Sequence, residues 1–474
     1  MKHTRKAITL TMLVILLFFQ NQLNAQKNQS GAFSLKEAQE FAVKNSYSTQ
    51  NSTYDIDAAK KKIWETTAIG LPQVSGSIQY QNMLDIPTTL LPDFISPSIY
   101  GVLIKEGVRD ANGNPITMPQ GGSQLFPAKF GTQHNTTWGI SASQLIFNGS
   151  YIVGLQASRV FLELSKNKLE KSENDIRESV TQSYCLVLVL QESQQILDST
   201  LKNINRLLYE SKETLKQGLV EEISVDQIQL NVSNISNMVS SLKRQRDAAE
   251  KLLKFQMGID VDAPIVLKDN LENILNQSKP ESVLGTKFDL TRNAEFKLMK
   301  TQEELSKLNL KNAQASFLPT VSAFFSYQKK AMGDNFDVFK SSTSWYPTTV
   351  VGLNIDIPIF SSGSRISKVK QAKIAYLQTQ VSRKQVEQGL LMQEFQARNE
   401  YNNTLETYYK EKDNLALATK IYNITTVKYT EGVASSMELT NAQNQFLSTE
   451  QSYYSAINSL IAAKSKLDKI LNIK

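Results

Sequence analysis

A single cysteine, Cys185, in a chain of 474 residues excludes any internal disulfide. Stability must therefore come from packing or from association between copies. Cys185 falls inside a helical pattern, far from any N-terminal processing site, and reads as a small core hydrophobe. Histidine is nearly missing as well. His3 sits in a leader-like segment, and His134 is left alone, so no His/Cys cluster can hold zinc. There is no phosphate-binding loop, no Gly-x-Ser-x-Gly and no Cys/His pair to make a nucleophile. The expectation is a non-enzyme with no catalytic, cofactor or metal site. Glycine (20) and proline (12) are few and concentrated in two places, which leaves room for long helices. Beyond the first 25 residues no apolar run reaches the roughly 20 residues of a membrane helix.

What is present begins with an export pattern. Lys2, Arg5 and Lys6 precede an apolar run from Ala7 to Phe19, and Leu23-Asn24-Ala25 offers a cleavage site before Gln26. A retained membrane anchor is the alternative, but the apolar core is short for one. Without those three basic residues the formal charge falls from +7 to +4, too little to imply nucleic acid.

The chain also repeats itself. Gly70-Leu71-Pro72-Gln73-Val74-Ser75 returns as Phe317-Leu318-Pro319-Thr320-Val321-Ser322. Leu145-Ile146-Phe147-Asn148-Gly149 returns as Pro358-Ile359-Phe360-Ser361-Ser362-Gly363, and Lys216-Gln217-Gly218-Leu219 as Thr430-Glu431-Gly432-Val433. The order is helix, strand pair, long helices, and then all of it again. One architecture built from two similar halves follows.

Four short segments alternate with period two. One face carries Val74, Ile78 and Tyr80; then Trp138, Ile140 and Ala142; then Val321, Ala323, Phe325 and Tyr327; then Thr349, Val351, Leu353, Ile355 and Ile357. The other face carries Ser, Thr, Asn and Gln, with Asp356 its one charge. A half-buried soluble sheet gives the same alternation. The scarcity of Lys and Glu, and the placing of Tyr80, Trp138, Tyr327 and Trp345 toward segment ends, favour lipid on one side and water on the other. Val74, Ile78, Tyr80, Trp138, Ile140, Phe325, Tyr327, Val351, Leu353 and Ile355 are the expected lipid-facing set. Four strands cannot close a barrel, which needs about eight, so several copies would share one.

Between and after the strands, apolar residues hold heptad spacing. Ile176, Val180, Ser183, Val187, Leu190, Gln194, Leu197, Leu201, Ile204 and Leu208 form one series. Val225 to Leu253 and Leu439 to Leu467 form two more, which predicts coiled-coil packing. Residues 150–215 would span roughly 95–100 Å as helix. Gly218 and Gly432 fall where two helical hairpins would turn.

These pieces resemble the TolC-like outer-membrane efflux proteins over essentially the whole mature length. The likeness rests on Leu71-Pro72 and Leu318-Pro319 before strands, Pro358-Ile359-Phe360 with Gly363 after one, and Arg292-Asn293-Ala294-Glu295 opening the second half. Leu215-Lys216-Gln217-Gly218-Leu219 and Tyr429-Thr430-Glu431-Gly432-Val433 resemble the two hairpin tips.

The resemblance implies a mainly α fold with a small β part, as a homotrimer with a shared twelve-stranded β-barrel and an α-helical periplasmic tunnel. It implies a location in the outer membrane, with lipid, an adaptor protein and an inner-membrane pump as partners. Gly218, Leu219, Gly432 and Val433 would be the docking tips. Glu438 and Asn441 match positions where the family carries acidic residues near the tunnel's closed end, so Glu438 is the expected pore-facing carboxylate, and the amide at Asn441 puts strong cation selectivity in doubt.

The expected layout is a leader at 1–25, a first repeat at 26–258, an inter-repeat segment at 259–289 and a second repeat at 290–474. Strands are expected near 71–82, 132–147, 318–328 and 345–360. The Pro-rich connection 82–131 would be a lid over the barrel mouth. The expected function is passive exit of small molecules. Export of polypeptides by a type I system is one alternative, and a periplasmic coiled-coil tether without a pore is another.

Overall fold

The computed structural model describes residues 31–93, 95–118, 125–277 and 285–473. The leader and Pro119 of the first connection lie outside the described residues. The chain opens with β1 (Gly31–Phe33), α1 (Leu35–Asn45) and α2 (Tyr47–Ala68), followed by β2 (Gln73–Asn82). The first connection holds β3 (Thr88–Pro92), α3 (Ile95–Lys105) and β4 (Leu125–Lys129). Next come β5 (His134–Asn148), α4 (Gly149–Lys216), α5 (Glu222–Met257), β6 (Ile265–Leu267) and α6 (Leu271–Gln277). The second half runs α7 (Ala294–Ala315), β7 (Thr320–Gly333), β8 (Tyr346–Asp356), α8 (Ser364–Thr430) and α9 (Ser436–Leu471).

Two compact units result, and each draws on both repeats. Residues 62–158 and 308–372 form one; the described residues before 62, with 159–307 and 373–473, form the other. In the first, β2, β5, β7 and β8 make one antiparallel sheet in that order. β2 and β7 begin one residue past Pro72 and Pro319, which have no N–H to give a ladder. β8 stops at Asp356, short of the expected 360, because Pro358 again cannot donate. β7 continues to Gly333, beyond the expected 328, since its pairing with β5 persists as far as His134 opposite Gly333. Trp138 and Tyr327 consequently lie within strands, whereas Trp345 stands immediately before the first residue of β8. The first connection is no plain loop: β3 and β4 pair antiparallel, and α3 lies between them in sequence.

In the second unit, long helices without an internal proline pack through the heptad positions. Val180, Val187, Ile204, Ile228, Leu253, Leu439 and Leu467 are all buried. One core cluster joins α1, α4, α5, α6, α8 and α9 around Tyr184, Leu253, Tyr401 and Ile457. Another gathers Ile204, Leu207, Ile228, Tyr422, Leu439 and Phe446. The inter-repeat segment is tied back to the start of the chain, because β6 pairs parallel with β1. Tyr184 Oη donates to the carbonyl of Phe33 at 2.9 Å and reaches Asp269 Oδ2 at 3.2 Å.

Candidate functional site

The register of the four-stranded sheet decides which side chains share a face. Val74, Ala142, Phe325 and Val351 form one row across it, and Gly76, Ile140, Tyr327 and Thr349 the next. Ile78 and Trp138 continue the same face, as do Val321 and Leu353 with Ile355. The opposite face aligns Ser75, Ser141 and Ser326, then Ser77, Gly139, Gln328 and Thr348. Ser75 Oγ and Ser141 Oγ lie 2.8 Å apart there. Opposed residues in a ladder point the same way, so the strands contribute to one continuous apolar face and one polar one. Among the described residues nothing covers the apolar face at Ile78 and Val351, which are 84% and 80% exposed.

At one end of that face Tyr80 Oη and His134 Nδ1 are 2.8 Å apart, and the Phe336 ring meets Tyr80 edge-on at 5.1 Å. The sequence reading missed Phe336 because it lies past the strand pattern. Trp138 and Tyr327 pair edge-to-face at 6.1 Å. No helix among the described residues is long and apolar enough to cross a membrane.

The hairpin between α4 and α5 turns at Gly218 and that between α8 and α9 at Gly432, with φ of 74° and 71°. Both need the left-handed conformation that glycine alone adopts cheaply. Leu219 and Val433 follow them and are 71% and 75% exposed. Polar bonds hold the helices together near the tips. Ser436 Oγ donates to Gln227 Oε1 at 2.7 Å, and Asn231 Nδ2 to Thr440 Oγ1 at 2.8 Å. Ser211 Oγ and Tyr429 Oη are 2.8 Å apart.

Glu438 and Asn441 are both exposed, three residues apart at the start of α9. Glu438 has work of its own. The Ser435 N–H donates to its Oε2 at 2.7 Å, while the Glu438 N–H donates to Ser435 Oγ at 3.2 Å. This reciprocal capping box closes the helix start. The bond from the Ser435 backbone, helped by its hydroxyl, holds the Glu438 carboxyl below the usual carboxylate range. The Ser-x-x-Glu spacing was legible in the sequence and went unread. At the first tip Glu221 occupies the N-cap without a side-chain cap bond. The described residues hold no cluster of His, Cys, Asp and Glu fit for a metal.

Residues 289–472 match the outer membrane efflux protein family. No curated protein matches the chain by sequence. Among solved structures, CusC, described in terms of folding and transmembrane channel formation, superposes with a TM-score of 0.68 at 16% identity, over 92% of this chain and 91% of that one. The outer membrane protein VceC from Vibrio cholerae gives 0.65 at 15% identity, over 92% and 95%. The Campylobacter jejuni CmeC outer membrane channel gives 0.65 at 16%, over 92% and 85%. Residues 289–472 thus resemble the outer membrane efflux protein family, and the chain shares the fold of these solved outer-membrane channels over 92% of its length.

Proposed function

We propose that this protein is the passive exit duct of a tripartite efflux system, carrying small molecules across the periplasm and outer membrane. Three copies would pair β8 of one with β2 of the next into a twelve-stranded barrel, with lipid against the Ile78 and Val351 face and water against the serine rows. The helical hairpins would wall a periplasmic tunnel. Exposed Leu219 and Val433 at the tips suit an adaptor protein joined to an inner-membrane pump, which would supply the energy. Glu438 and Asn441 would face the pore near the tips.

The observation that carries this reading is the common register of the apolar faces, combined with two edges, β2 and β8, that no other strand among the described residues pairs with. A water-facing tether has no use for such a surface, and a sheet in lipid cannot leave its edges open. Extraction tests it directly. The protein should stay with the membrane through osmotic shock, leave only in detergent, and open discrete channels in a planar bilayer. Release by osmotic shock would overturn the barrel.

A further inference from the structure

The helical unit buries one acid that the channel reading does not use. Glu450 belongs to a second stripe on α9, with Gln443, Leu447, Tyr454, Ile457 and Ile461, all buried. That stripe lies about 100° around the helix from the heptad series through Leu439 and Leu467. Glu450 is 3% exposed, its Oε1 has no hydrogen-bond partner, and among the described residues no ion pair includes it. It lines a cavity of about 450 Å³ bounded by α4, α5 and α9, a volume that suits a small organic molecule.

The lining dictates what could enter. Leu190, Leu197, Met238, Leu242 and Leu447 supply apolar walls, with serine hydroxyls and the Asn458 amide between them. No Lys, Arg or His lines it. On α4, Glu192 adds negative charge, and its field and that of Glu450 both act on Tyr454. On α5, Arg246 is committed elsewhere, to Gln194 at 2.8 Å and Glu250 at 3.5 Å. An anion therefore finds no partner. A metal ion would want several charged oxygen ligands around one point, whereas here a single carboxylate stands among neutral side chains. A nearly buried carboxylate with one unpartnered oxygen favours the uptake of a proton or a cation. Burial pushes the Glu450 carboxyl up to about 7, so near neutral pH it is divided between those two outcomes.

We propose that this cavity is a binding site for a small organic cation, a protonated amine with an apolar body. The ammonium would sit on Glu450 and the body against Leu190, Met238 and Leu242. The residues that line it all belong to one chain.

The test uses the full-length protein in non-ionic detergent, titrated calorimetrically with 4-phenylbutylamine and its neutral counterpart 4-phenylbutan-1-ol, with micelle blanks. The amine should bind saturably and at least tenfold more tightly than the alcohol. Glu450→Gln should abolish that preference while leaving alcohol binding unchanged. Between pH 8 and pH 5.5 the wild-type affinity for the amine should fall roughly thirtyfold as the carboxyl protonates, and the variant's should not. Leu242→Trp, which fills the cavity, should exclude both probes. No binding by wild type, equal binding of amine and alcohol, or undiminished amine binding by either variant would overturn the assignment.

Discussion

At the scale of the residue, one carboxylate is asked to serve two ends. Glu438 caps α9 through Ser435, and a pore role would use the same charge. Truncation to alanine would confuse the two, whereas two other substitutions separate them. Glu438→Gln removes the charge and keeps a side chain able to complete a capping box. Ser435→Ala keeps the charge and loses a cap, at a cost of about 1 kcal/mol. If Glu438 faces the pore, Glu438→Gln should lower cation preference in bilayer recordings, and Ser435→Ala should instead speed amide exchange over the first turn of α9. A selectivity change in Ser435→Ala alone would leave Glu438 with a structural role only. Glu450 makes a second residue-scale prediction. Burial raises its carboxyl from the ordinary 4.5 to about 7, so between those values the folded chain holds more protons than the unfolded one. Stability from this group is therefore full below about pH 4.5 and is lost as pH rises through 7, by roughly 3 kcal/mol. Glu450→Gln should flatten that decline in denaturation midpoints measured from pH 4.5 to 8, and a parallel decline in the variant would assign it to other groups.

At the scale of the element, alternation along β8 puts neighbours on opposite faces, and Val350 and Val351 make the sharpest comparison. Val351 shares a row with Val74 and Phe325, whereas Val350 aligns with Ser326. Arginine at 351 should cost about 2–4 kcal/mol if that face meets lipid, lowering the yield of folded protein in outer-membrane fractions. Arginine at 350 should fold and shift ion selectivity; equal loss from both would contradict a two-sided wall. Such faces were legible because period-two patterning is a local property of sequence, as is the proline before β2 and β7. The heptad stripes were legible for the same reason. What escaped notice depends on partners. Lys329 and Lys330 interrupt the apolar alternation of β7, and only pairing with β5 carries that strand on to Gly333. The connection after β2 looked like a loop because β3 and β4 are five-residue strands that mean little until they pair. The second stripe of α9, with Gln443 and Glu450, was overlooked because a search for one apolar seam stops at the first it finds, and two polar members blur the other.

At the scale of the whole molecule, closure is the question. Among the described residues the four-stranded sheet ends at β2 and β8, and copies that keep the same face toward lipid and the same orientation join β8 to β2, which is a head-to-tail contact. Such a contact makes a ring when its rotation closes and an open filament when it does not. A sheet in lipid tolerates no edge, so the proposed ring would have to close, and three copies would supply the twelve strands of a barrel wide enough for a duct. Cysteine pairs can count the copies. Ser77 on β2 and Thr348, Val350 and Asn354 on β8 share the polar face. The native Cys185 is buried, and its surroundings push the thiol up to about 12, so it will not compete for oxidation. Combining Ser77→Cys with cysteine at each β8 position in turn scans the register between copies, since a disulfide demands Cα atoms roughly 5.5 Å apart. One combination should yield covalent dimers and trimers on non-reducing gels, with nothing above the trimer. A ladder continuing past three would mean an open assembly, and no cross-link at any register would mean that β2 and β8 do not meet.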